Sequence, residues 1–204
     1  MSLLLIRHGE TALNVARVLQ PPATPLSERG IAQADALAGR LATMGVRAIL
    51  SSDLPRTLRT AEAIAAATGA PIETTPLLRE RNFGDWRGRP YDSLGVDPLT
   101  TADAPPNGES AAAFEQRVTA AFALAVQRRA ALDGALAVVT HGLVLRALLA
   151  GPLRLAHGML APAHLGNTGL SIVDAHPPHR VNLLNCTRHL DAGARDDARA
   201  LSGG

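Results

Sequence analysis

A chain of 204 residues with 47% hydrophobic content is long enough to bury a substantial core and short enough to form one domain. The net charge is only +2, and all 20 basic residues are Arg. They are interspersed with acidic residues rather than gathered in a stripe or tail, which argues against a nucleic-acid binder.

The first apolar run, Leu3 to Ile6, is too short for a signal-peptide core of about 7–15 residues or a membrane span of about 18, so neither export nor a membrane partner is indicated. It reads as a buried strand that delivers Arg7-His8-Gly9 at its C-terminal end. Helical periodicity follows at Ile31, Ala34, Leu37 and Leu41, then a strand at Ala48-Ile49-Leu50, then a second helix with Leu54, Leu58, Ala61 and Ala65 on one face. The stretch from Leu77 to Asn107 carries Pro, Gly and Asp without a clear period and reads as an irregular loop region over the rim of the sheet, a lid. A third helix places Phe114, Val118, Ala121 and Ala125 together, and Arg128-Arg129 on it reads as a solvated face. The strand Leu136 to Val139 ends in Thr140-His141-Gly142, so two apolar strands each deliver a His followed by Gly. Two further strands are expected around Gly169 to Val173 and Val181 to Leu184.

The alternation predicts an α/β fold: a single domain over residues 1–185, with a mostly parallel sheet covered by helices on both faces and ligands beyond the carboxyl ends of the strands. Residues 186–204 form a polar, Ala-rich tail that is expected to fray. Cys186 is the one cysteine, which excludes an intramolecular disulfide and reads as a buried thiol in a reducing cytoplasm. Aromatics make up 2% of the chain, so the core is built from Ala, Leu, Val and Ile.

Chemistry concentrates at the first strand end. A neutral imidazole at His8 is a good nucleophile toward phosphorus, and the adjacent Arg7 guanidinium binds phosphate oxygens and disfavours protonation of the ring. Gly9 would let the backbone approach an anion, which the amides opening the next helix would also face. Alone, Arg-His-Gly is equally the end of an ordinary buried strand.

The wider set of segments resembles the histidine phosphatase (phosphoglycerate mutase-like) superfamily, from Leu3 to about Val173. Leu5-Ile6-Arg7-His8-Gly9-Glu10-Thr11 with Asn14 looks like its signature. Leu26-Ser27-Glu28-Arg29-Gly30, Ser51-Ser52-Asp53-Leu54-Pro55-Arg56-Thr57, Leu78-Arg79-Glu80 with Phe83-Gly84-Asp85-Trp86, Pro106-Asn107-Gly108-Glu109-Ser110 and Val139-Thr140-His141-Gly142 follow in order. The resemblance implies His8 as nucleophile, Glu80 as general acid and then base, and His141 as the second catalytic histidine. It also implies phosphate binding by Arg7, Asn14, Arg56 and Gly142, with neither cofactor nor metal.

Competing readings exist at several positions. Arg56 could pair with Glu62; Glu10, Asp85 and Glu109 compete with Glu80 for the acid role; His141 could be a core histidine, and Asn14 a helix-surface residue. The remaining histidines, His157, His164, His176, His179 and His189, fit no zinc spacing and read as solvated loop residues. Trp86 and Phe83 either anchor the lid or line the pocket.

The family's mutases carry a longer insertion after the acid and a Lys in the substrate site; this chain passes quickly from Glu80 to Gly108 and has no Lys. Where many relatives have an acidic residue after the lid Trp, it has Arg87, with Arg89 nearby, which admits an additional anionic group on the substrate. The expectation is a cofactor-independent phosphomonoesterase acting on a small phosphorylated metabolite. A phosphoglycerate mutase and a catalytically inactive phosphoryl-binding module are the alternatives. The oligomeric state is open, a homodimer included.

Overall fold

The computed structural model describes residues 2–190. Strand β1 (Ser2–Arg7) leads to a short helix α1 (Ala12–Val15), helix α2 (Glu28–Leu41), β2 (Val46–Ser52), α3 (Pro55–Thr68) and β3 (Ile72–Thr75). A connection holding three short 3-10 turns, at Pro76–Leu78, Gly84–Trp86 and Tyr91–Ser93, precedes α4 (Ala111–Ala130), β4 (Ala135–Thr140) and α5 (Gly142–Ala150). Then come β5 (Arg154–Leu155), β6 (Leu170–Asp174) and β7 (Arg180–Cys186).

All seven strands join one sheet in the order β3-β2-β4-β1-β6-β7-β5. β3, β2, β4 and β1 run parallel, β6 pairs antiparallel with both β1 and β7, and β5 is parallel to β7. The sheet is therefore mostly parallel, with β6 reversed. Alternate residues of β1 and β4 face opposite helix layers, which is why both strands read as unbroken apolar runs. Leu3, Leu5, Leu136 and Val138 pack with Phe114, Val118, Leu145 and Leu148 of α4 and α5. Leu4, Ile6, Ala137 and Val139 pack with Ala34, Leu37, Ala61 and Ile64 of α2 and α3.

Local signals set the helix ends. The Ser27 hydroxyl accepts from the Gly30 amide at 3.0 Å and that of Ser110 from the Ala113 amide at 3.2 Å, each capping a helix start. Pro55 opens α3, and Gly69, with φ 71°, ends it in the left-handed conformation that costs glycine nothing.

Several expectations change. β3, α5 and β5 were not legible: α5 is apolar on most sides, which blurs its period, and β5 has only two residues. Arg129 is not solvated; it is buried, and its guanidinium donates to the carbonyls of Ser2 and Leu132, whereas Arg128 pairs with Glu73 at the surface. Cys186 is half-buried rather than buried. It closes β7, and Leu190 beyond it is buried. Most of the expected tail, residues 191–204, lies outside the described residues. No helix among the described residues is long and apolar enough to cross a membrane.

Candidate active site

The neighbouring strands β2, β4 and β1 end at one rim and deliver Ser52, His141 and His8 side by side. The His8 amide donates to the Thr140 carbonyl at 3.0 Å, and the His8 and His141 rings meet edge-on with centroids 5.1 Å apart. His8 Nδ1 lies 2.7 Å from the Gly9 carbonyl oxygen. A carbonyl only accepts, so Nδ1 carries the proton, and the neutral form of the ring has its lone pair on Nε2. The segment after β5 supports this strand end. Asn167 Nδ2 donates to the His8 carbonyl at 2.9 Å, the Thr168 amide reaches the Arg7 carbonyl at 3.1 Å, and Arg7 Nη1 donates to the Leu165 carbonyl at 2.6 Å. Thr168 does so at φ 54°, a conformation that β-branched residues rarely adopt.

Gly9 has a packing role that the sequence did not suggest. Its amide donates to Thr60 Oγ1 at 3.1 Å, and a Cβ there would run into the Gly30 carbonyl, while a Cβ on Gly30 would run into the Glu10 carbonyl. The two glycines let the start of α2 press against the loop after β1, a packing role. The amides around α1 are also occupied: that of Thr11 donates to Asn14 Oδ1 and that of Asn14 to Thr11, a capping box. Backbone cannot yield as a flexible side chain does, so Gly30→Ala is expected to cost about 2 kcal/mol or more and to lower Tm by roughly 4–8 °C, read by thermal unfolding. A change below 1 °C would mean that the loop relaxes freely.

Arg56 comes from the first turn of α3 and is 2% exposed, whereas Glu62 is exposed, so the two do not pair. Burial, the largest influence, with Arg7 and Arg87 nearby, brings the Arg56 guanidinium down to about 10, which still leaves it charged at neutral pH. His141 Nε2 is 3.0 Å from Ser52 Oγ, and burial together with the charges of Arg56 and Arg7 holds this imidazole well below its usual range, hence neutral. Asn14 is buried rather than on the helix surface. Glu80 follows the first 3-10 turn; its two oxygens accept from the Arg81 amide at 3.0 Å and the Leu143 amide at 3.1 Å. Burial raises its carboxyl above the ordinary value and outweighs those bonds and the neighbouring Arg56 and Arg7. Gly142 opens α5 between His141 and the Leu143 amide that holds Glu80.

The other acids are engaged elsewhere. Glu10 accepts from Ser27 Oγ and pairs with Arg29, Asp85 accepts from Asn107, and Glu109 receives two bonds from Arg117, at 2.9 and 2.8 Å. Arg117 also donates to the carbonyls of Leu77, Arg79 and Glu80, clamping the segment that carries Glu80. This clamp, Ser52, Gln20 and Tyr91 were missed in the sequence, where nothing local marks them.

A cleft of about 610 Å³ opens above the rim, lined by Gln20, Arg56, Glu80, Phe83, Arg87 and Arg117 among others. Phe83 is both buried and part of this wall, while Trp86 packs against the core. Arg89 donates to the Ser93 carbonyl at the surface. Of the remaining histidines, His157 and His176 are exposed, His179 packs edge-on against Phe122, and His189 is tied to Thr168.

Buried polar atoms converge on the same rim. Arg56 Nε and Nη1, Asn14 Nδ2, Gln20 Nε2, the Tyr91 hydroxyl and His141 Nδ1 have no hydrogen-bond partner among the described residues. Each such group costs about 1–3 kcal/mol if left unsatisfied. Donors concentrated around buried guanidinium charge suit an oxyanion.

Comparison with known proteins accords with this chemistry. Residues 3–187 match the profile of the histidine phosphatase superfamily (branch 1). "Probable phosphoglycerate mutase GpmB" of Yersinia pestis (strain Pestoides F) is 38% identical, the match covering 95% of this chain and 96% of that protein. The structure of Bacillus stearothermophilus YhfR superposes with a TM-score of 0.79 at 30% identity, covering 93% of this chain and 99% of that one. The mycobacterial glucosyl-3-phosphoglycerate phosphatase superposes with a TM-score of 0.75 at 28% identity, covering 91% and 98%.

Proposed function

Since the chain belongs to the histidine phosphatase superfamily, branch 1, we propose that it is a phosphomonoester hydrolase that removes phosphate from a small metabolite through a phosphohistidine at His8. The observation that carries this reading is the cluster of buried donors around Arg56 and His141, beside an imidazole whose Nδ1 is held by the Gly9 carbonyl and a carboxyl that burial raises above its ordinary value.

In this reading His8 Nε2 attacks phosphorus in line as the bond to the ester oxygen breaks, and Glu80 passes its proton to that oxygen. Arg7, Arg56 and His141, with Asn14 and the helix opening at Gly142, hold the non-bridging oxygens and balance the developing charge. His141 serves an anion as its Nδ1–H tautomer, with the Ser52 hydroxyl donating to Nε2. The Gly9 carbonyl accepts from His8 Nδ1 and so supports the ring as it gains positive charge. Water then attacks the phosphohistidine, the Glu80 carboxylate takes its proton, and the P–N bond breaks to return neutral His8. A dianionic phosphate in the site favours the protonated form of Glu80 further, so the first step finds its acid ready. The half-buried free thiol of Cys186 supports a reducing, cytoplasmic setting.

The similarity to a probable phosphoglycerate mutase favours a second reading, in which phosphohistidine returns its phosphoryl group to a sugar acid. A mutase must keep water out while its bisphosphorylated intermediate reorients. The deciding experiment supplies 3-phosphoglycerate with a trace of 2,3-bisphosphoglycerate and follows 2-phosphoglycerate and free phosphate together. Phosphate release is expected to match or exceed isomerisation; isomerisation faster by ~10-fold or more would make the mutase reading correct.

A further inference from the structure

The cleft carries more positive charge than one phosphate accounts for. Arg7 and Arg56 belong to the phosphate site. Arg79 is held bidentate by Asp53 at 2.7 and 2.6 Å, and Arg117 by Glu109. Arg81 donates to three carbonyls, of Glu109, Thr101 and Asp103, and lies over the Phe83 ring at 5.5 Å. Glu80, the remaining acid of the wall, accepts from the Arg81 and Leu143 amides rather than from a guanidinium, and burial raises its carboxyl above the ordinary value. That leaves Arg87. Its guanidinium forms no hydrogen bond or ion pair among the described residues and is half-buried in the cleft wall. It also stands close enough to Arg79 and Arg56 to feel their like charge. An unpaired guanidinium among like charges is unfavourable unless an anion joins it.

The position is fixed rather than adventitious. Arg87 ends the 3-10 turn Gly84–Trp86, where its amide donates to the Gly84 carbonyl at 3.2 Å. The next residue is tied across the cleft mouth, the Gly88 amide donating to the Leu19 carbonyl at 2.7 Å, one residue from Gln20 of the cleft wall. A volume of about 610 Å³ also exceeds what a phosphate group alone would fill.

We propose that Arg87 is a specificity residue forming a second anion subsite, so that the preferred substrate is a phosphomonoester bearing a further carboxylate or phosphate. This rests on the phosphatase reading above.

The test compares matched pairs in wild type and Arg87→Ala. Glycerol 3-phosphate and 3-phosphoglycerate differ by a carboxylate, and fructose 6-phosphate and fructose 1,6-bisphosphate by a phosphate. Wild type is expected to favour the doubly anionic member of at least one pair by ~10-fold or more in kcat/KM, through KM, and Arg87→Ala to erase that preference. Which pair responds identifies the second anion. No preference in wild type, or a loss in Arg87→Ala that is equal across all four substrates, as general electrostatic steering would give, overturns the subsite. Calorimetric binding of the same four compounds separates the two claims. If nothing is hydrolysed but an Arg87-dependent binding preference persists, hydrolysis fails and the subsite stands; if hydrolysis proceeds without any such preference, the reverse holds.

Discussion

Replacing His8 with Ala is expected to lower turnover by at least ~10⁴-fold on every phosphomonoester, because it removes the covalent route itself rather than a share of the binding energy. His8 is wholly buried, with its ring proton committed to the Gly9 carbonyl, and no other described imidazole offers the same lone pair to the rim. His141, its neighbour at 5.1 Å, has Nε2 engaged with Ser52. Phosphate release is the primary measurement, with far-UV circular dichroism confirming that the variant is folded. A rapid quench of wild type with labelled substrate should trap phosphoenzyme that is labile in acid and stable in alkali, as a phosphoramidate is. Comparable turnover in a folded His8→Ala protein, or a label with the opposite stability, would remove His8 from the nucleophile role.

For Glu80→Gln the expected loss depends on the leaving group. Alkyl phosphates, whose alkoxides need a proton, should lose about 10²–10⁴-fold in kcat, and p-nitrophenyl phosphate less than about 10-fold in the phosphorylation step. Parallel losses on both substrates would transfer the acid role to another group. Stability should respond in the opposite direction. Folded Glu80 keeps its proton above the ordinary value of 4.5, where the unfolded chain has lost it, so the native state binds more protons and stability falls as pH rises through that window. Glutamine has no such dependence. The unfolding midpoint of Glu80→Gln relative to wild type should therefore increase between pH 4 and pH 8, a trend measurable in urea titrations. A difference that stays flat with pH would mean that Glu80 is ionised in the fold.

Much of this arrangement was legible because it is written in short-range patterns. Apolar runs ending in His-Gly located β1 and β4, and steps of three and four residues located α2, α3 and α4. The ordered family segments gathered Arg7, His8, Asn14, Arg56, Glu80, His141 and Gly142, and the fold brings these to one rim. What escaped depends on partners remote in sequence. Ser52 matters because β2 lies beside β4, which sets its hydroxyl against His141, 89 positions away. Tyr91 and Gln20 sit in aperiodic stretches where nothing distinguishes a rim residue from a surface one. Arg129 is instructive in another way. The four-residue step from Ala125 reaches it, so the period did place it on the buried face, and its charge masked the signal. At Gly9 the packing role escaped notice, since its close neighbour, the Gly30 carbonyl, arrives from a different helix.

The position of β1 in the sheet bears on how the protein comes to be active during synthesis. β1 is the first strand made, yet both of its neighbours come late: β4 begins at Ala135 and β6 ends at Asp174. A ribosome must therefore deliver most of the polypeptide before the strand leading to His8 has a single partner, and later still before Leu165, Asn167 and Thr168 can brace Arg7 and His8. Such non-local closure is intrinsically slow and leaves an apolar segment waiting in solvent or in the care of a chaperone. A nascent chain released before Leu165 would carry nearly every residue of the chemistry and no working site.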